Sequence, residues 1–208
     1  GKDAFHLYET YGFPIEITKE MTEEREFKID IGEYEQAYKS HQEKSRKAAK
    51  GFFKGGMADT SDMSKKYHTA THLLLAALTQ IMGDHISQKG SNINPERLRL
   101  DFPNERKLTQ EELKKIENLV NEQIEMNLKI TSEEMPKKQA LKLVPNAMFT
   151  ERYGDTVKVY FIGKKQSPFS TEICGGPHVK TTSELGKFKI IKHENVGSGI
   201  KRIKAILE

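Results

Sequence analysis

A chain of 208 residues, 36% hydrophobic and 31% charged, holds enough apolar surface for one sizeable core with an appendage, or for two small domains. No apolar run approaches the ~20 residues of a membrane span, and no charged leader followed by an apolar stretch opens the chain. The formal net charge is only +4, and the single cysteine, Cys174, excludes an internal disulfide framework and fits a reducing compartment.

The first residue is glycine, which points to an excised domain or a trimmed tag. Residues 3–10 read as a short helix closed by Gly12 and Pro14, with Thr18 as the cap of a second. A longer polar helix is expected from about Glu33 to Lys50. Between Lys39 and Lys54, Lys39, Lys44, Arg46, Lys47, Lys50 and Lys54 stand against a single acid, Glu43, and Lys65 and Lys66 follow. Such a stripe can meet a phosphate backbone, although charge alone favours a solvated helix face. Gly51-Phe-Phe-Lys-Gly-Gly-Met then marks a domain boundary near residue 57.

Residues 67–82 read as a helix carrying Leu74, Leu75, Leu78, Ile81 and Met82. Arg97-Leu-Arg-Leu-Asp-Phe alternates, which puts Leu98, Leu100 and Phe102 on one side of a strand. Thr109 and Glu112 have the spacing of a capping box, and the helix that follows aligns Leu113, Ile116, Val120 and Ile124. Further strands are expected at 157–162, 187–192 and 200–207. Helices and strands do not alternate strictly, which argues for α+β and against a doubly wound parallel sheet.

Two motifs carry chemistry. His68-Thr-Ala-Thr-His72 sets two imidazoles four apart on one helix face, where both rings can reach one ion. The zinc-protease pattern needs glutamate after the first histidine, and here that position is Thr69, so peptide hydrolysis by that route is disfavoured. The second motif is Cys174-Gly-Gly-Pro-His178, whose glycines allow close backbone approach. The plainer reading of a lone cysteine is a small buried hydrophobe. Together the motifs offer three nitrogens and one sulfur, a tetrahedral zinc set that is closed if all four bind. Gln88 and Ser91 lie in a polar turn. Glu172 is either a partner for a histidine N–H or an exposed strand carboxylate. Lys201 and Arg202 are candidates for a phosphate-binding surface.

In order along the chain, these features resemble the alanyl-tRNA synthetase family and its free-standing editing relatives. The matching runs are Leu7-Tyr-Glu-Thr-Tyr-Gly-Phe-Pro14, His68-Thr-Ala-Thr-His-Leu73, Gln88-Lys-Gly-Ser91, Arg97-Leu-Arg-Leu-Asp-Phe102, Phe169-Ser-Thr-Glu-Ile-Cys-Gly-Gly-Pro-His-Val179 and Gly199-Ile-Lys-Arg-Ile203. The resemblance implies a helical N-terminal segment, residues 1–57, forming the tail of a tRNA-recognition region. An editing domain follows at 58–208, with antiparallel sheet packed against helices.

It further implies a cytoplasmic module, covalently part of a larger synthetase, that removes serine or glycine wrongly esterified to the acceptor end of tRNA(Ala). His68, His72, Cys174 and His178 carry over as Zn2+ ligands, and Thr71 and Gln88 fall on editing-pocket positions. Lys44, Lys47, Lys50, Lys201 and Arg202 are the candidate tRNA contacts.

Three departures stand out. The small barrel with a Gly-Gly-Gln motif that usually precedes the first histidine helix is missing. Pro177 stands where alanyl enzymes commonly carry threonine, as in threonyl-type editing domains. No ATP-binding core is present, so this chain is not expected to charge tRNA. The alternatives are a non-catalytic module that binds the acceptor end around a structural zinc, and an editing domain of threonyl type.

Overall fold

The computed structural model describes residues 1–11, 15–23, 25, 27–51, 61–145, 147, 153–197 and 199–208, with the backbone alone at 9–11, 23 and 42–51. The chain divides into two compact units, Gly1–Phe53 and Lys54–Glu208.

The first unit holds α1 (Lys2–Tyr11), α2 (Ile15–Glu23) and α3 (Ile31–Gly51). Asp30 Oδ1 accepts the Glu33 N–H at 2.9 Å, so α3 starts two residues earlier than expected, on a side-chain cap. Phe5 of α1 packs edge-on against Tyr34 and Tyr38 of α3, with ring centroids 6.1 and 6.5 Å away. Thr18 does not cap α2. The helix already begins at Ile15, with Glu16 in its first turn, and Thr18 is buried inside it. The expected stop at Gly12 and Pro14 lies outside the described residues.

The second unit contains α4 (Asp62–Met82), β1 (Gly90–Asn94), β2 (Arg97–Pro103), α5 (Gln110–Glu125), β3 (Ile130–Pro136), α6 (Lys137–Leu143), β4 (Thr156–Lys164), β5 (Ser167–Ile173), a 3₁₀ turn (Thr182–Leu185), β6 (Phe188–Gly197) and β7 (Ile200–Leu207). All strand pairs are antiparallel, in two sheets of order β1-β2-β7-β6 and β3-β4-β5. The α+β reading therefore holds.

Ser61 caps α4 by accepting the Ser64 N–H, so the helix starts at Asp62, five residues before the expected start. Nearly every residue from Tyr67 to Leu78 of α4 is buried, and for that reason the helix lacks a clean polar face. Thr109 and Glu112 do form a reciprocal capping box on α5.

One core gathers Leu73, Leu74 and Leu78 of α4, Ile116 and Val120 of α5, and the inward face of the larger sheet, Leu98, Leu100, Phe102, Ile203 and Ala205. A smaller core under the three-stranded sheet joins Val157, Val159, Phe161 and Ile173 to Met135 and Ala140. Alternation along β4 and β5 leaves their other face to Tyr160 and Glu172, which pair across the strands, with Cys174 just beyond the end of β5. No helix among the described residues is long and apolar enough to cross a membrane.

Candidate metal centre

The fold draws the two motifs to one point. His68 and His72 project from α4, and Cys174 and His178 come from the loop after β5; one ligand atom from each lies within 4.8 Å of all the others. His68 Nε2 is 3.3 Å from His72 Nε2 and 3.2 Å from Cys174 Sγ. Ligands held by one zinc ion at tetrahedral angles stand roughly 3.3–3.6 Å apart, so these edges already approach coordination distances.

The rings are locked in place. His68 Nδ1 lies 3.1 Å from the Pro177 carbonyl oxygen, which can only accept, so the proton sits on Nδ1 and the Nε2 lone pair faces the cluster. The His178 ring stacks on His68 at 4.3 Å, and Tyr160 packs against it at a tilt, also at 4.3 Å. His178 Nε2 is buried with no hydrogen-bond partner. A buried orphan lone pair is costly unless something accepts it, and a cation among three imidazoles and a thiol does so. The residues present therefore fit a zinc-type ion.

Burial sets the protonation of this group. It lowers the His68 imidazole to about 4 and pushes His72 and His178 well below the ordinary histidine range. The same burial pushes the Cys174 thiol up to about 11, partly opposed by the Gly176 N–H that points at the sulfur from 3.4 Å. Three neutral imidazoles, each keeping a lone pair, are what a metal requires.

Gly176 makes the close approach expected of the glycine-rich turn. A Cβ there would sit 2.6 Å from His68 Nδ1, whereas one at Gly175 would meet nothing within 4 Å.

The remaining candidates distribute differently. Thr71 is buried, and its hydroxyl donates to the Tyr67 carbonyl at 2.8 Å. The Gln88 amide donates to Ser91 Oγ at 3.1 Å. For His68 and His178, Glu172 does not take the histidine N–H role: the Pro177 carbonyl and the Thr69 hydroxyl hold those two rings. Glu172 instead lines a cavity of about 470 Å³ between α4 and β5, with Thr79, Gln80, Asp84 and Ser170. Burial raises its carboxyl to about 7.

Lys201 is buried, its ammonium 3.4 Å from the Glu105 carbonyl, and Arg202 is bidentate to Asp101 at 2.7 and 2.9 Å. The structure thus commits both head groups to partners within the chain. Lys44, Lys47 and Lys50 fall on α3, but their side chains lie outside the described residues. Thr69 and Pro177 were noted in the sequence for other reasons, and their hold on the histidine rings, like the packing of Tyr160, was not anticipated there.

The alanine–tRNA ligase of Treponema denticola is 50% identical over 208 residues, the whole of this chain. Over its whole length the chain corresponds to a segment of alanine–tRNA ligases. The enzyme of the same name from Borreliella afzelii is 48% identical over 207 residues, and that of Methylococcus capsulatus is 46% identical over 139 residues, or 67% of this chain. The chain spans about a third, 34%, of the length of the first two ligases, and 16% of the third. Residues 157–204 match the threonyl and alanyl tRNA synthetase second additional domain, and residues 1–92 match tRNA synthetases class II (A). The first match holds Cys174 and His178 and the second His68 and His72, so the metal cluster straddles the two family regions.

Proposed function

We propose that residues 58–208 form the editing domain of an alanine–tRNA ligase, and that it hydrolyses the ester of Ser-tRNA(Ala) or Gly-tRNA(Ala). In this reading residues 1–57 are the tail of the tRNA-recognition region, and the working setting is the cytoplasm. The observation that carries it is the convergence of His68, His72, Cys174 and His178 in a chain similar to ligases of that name.

A bound Zn2+ would supply Lewis acidity toward the ester carbonyl. The chain's own groups hold the four side chains together, keep the imidazoles neutral by burial and pack Tyr160 against His178. The open groove beside Glu172 offers polar groups from Thr79, Gln80, Asp84 and Ser170 to an aminoacyl end, and none of the four cluster residues lines it. Gln88 and Thr71, which do not line that groove, are proposed to orient the ester or water at the metal cluster. Neither is a useful base at neutral pH.

The test is release of serine from Ser-tRNA(Ala) by the purified chain, alongside its metal content. Loss of both in His72→Ala and Cys174→Ala supports the reading, and retained serine release in metal-free protein overturns its metal part. One observation favours a second reading: four protein ligands close a zinc site, as in structural sites. Binding of the acceptor end without any serine release would establish that alternative. Faster deacylation of the threonine tRNA would point to a threonyl-type domain.

A further inference from the structure

Thr69 occupies the position where a zinc protease would carry its catalytic glutamate, and its hydroxyl is completely used. It donates to the Lys65 carbonyl at 3.1 Å, one turn back along α4. Its two lone pairs face His178 Nδ1 at 3.0 Å and the Val179 N–H at 3.3 Å. A hydroxyl has one proton and two acceptor sites. With the proton spent on Lys65, only a protonated Nδ1 satisfies the contact to His178.

We propose that Thr69 is the positioning residue of the metal centre: its hydroxyl pins the proton of His178 on Nδ1, turns the Nε2 lone pair into the cluster, and ties the loop carrying Cys174 and His178 onto α4. The geometry agrees at both ends, since Nδ1 is partnered while Nε2 is buried without one. Thr69 is itself fully buried, and its branched Cβ restricts rotation of the hydroxyl. Pro177 performs the same service for His68 through a backbone carbonyl, so the two rings that stack on each other are held by unrelated devices.

The premise rests on the hydrogen bonds of Thr69; the consequence for affinity rests on the metal reading above. Long-range 1H–15N spectra of the histidine-labelled, metal-free full chain at neutral pH read the tautomer directly. The wild type is expected to show His178 protonated at Nδ1, Thr69→Ser to retain it, and Thr69→Val to move the proton to Nε2 or to a mixture. A wild-type His178 protonated at Nε2 overturns the proposal without any variant.

Cobalt titration supplies the second readout. Thr69→Val should bind roughly 10–100-fold more weakly than the wild type, the usual cost of removing an outer hydrogen-bond partner, and Thr69→Ser should recover most of that loss. Equal affinity of all three overturns the assignment while leaving the metal centre standing. A wild type that binds no cobalt removes the metal reading and the affinity consequence together.

Discussion

Cys174 Sγ lies 3.2 Å from His68 Nε2, although 106 positions separate the two residues in the chain. Burial holds the imidazole near 4 and the thiol near 11, so at neutral pH the thiol alone must give up a proton when a metal binds. Affinity for zinc should therefore rise about tenfold per pH unit between pH 6 and 9, in the direction of thiol deprotonation. Calorimetry in two buffers of different ionisation enthalpy should count about one proton released. A count of zero would mean that the sulfur is not a ligand.

The two glycines of the cysteine motif are predicted to behave oppositely. Gly176→Ala drives a methyl group into the His68 ring, which the Pro177 carbonyl keeps from yielding, and should abolish metal binding while leaving all four ligands in place. Gly175→Ala meets open space and should bind normally. Equal metal content in both variants, measured on purified protein, would show that the ring moves aside.

Glu172 gives a stability signature of definite sign. Its folded carboxyl is raised to about 7, above the ordinary value of an unfolded glutamate. The contribution is fully present below the unfolded value and is lost as pH rises through 7, because the unfolded chain ionises first. Between pH 5 and 8 the metal-free wild type should lose roughly 2 kcal/mol relative to Glu172→Gln. Parallel urea midpoints for the two proteins would refute this.

Asp101 is buried and receives two hydrogen bonds from Arg202, with Arg99 3.6 Å away. Asp101→Asn keeps the shape and removes the charge that both guanidinium groups face. A loss of roughly 1.5–3 kcal/mol is expected in urea denaturation, the range for hydrogen bonds to charged groups. A change near zero would mean that water replaces the carboxylate.

What the sequence made legible follows from how each element is solvated. β2 alternates because one face meets the core and the other carries Arg97, Arg99 and Asp101, and α5 shows its stripe for the same reason. β1 was read as a turn because Gly90-Ser-Asn has little strand preference of its own; pairing with β2 orders it. β3 is an edge strand with most side chains exposed, so Thr131-Ser-Glu-Glu carries no apolar signal.

At the site, ligand identity was readable from spacing, since two histidines four apart share a helix face. The groups that aim the rings were not, because the contacts of Thr69 and Pro177 join segments more than a hundred positions apart. Lys201 and Arg202 look like surface cations in sequence. Only the register with β2, which puts Asp101 opposite Arg202, reveals an internal partner.

Because β1 through β5 all lie between the helix that offers two imidazoles and the loop that offers the remaining donors, a growing polypeptide cannot assemble the cluster until most of the module has left the ribosome. Any ion held by all four residues would therefore be captured only after Cys174 and His178 have been made, and a product truncated before Cys174 keeps only the histidine pair of α4.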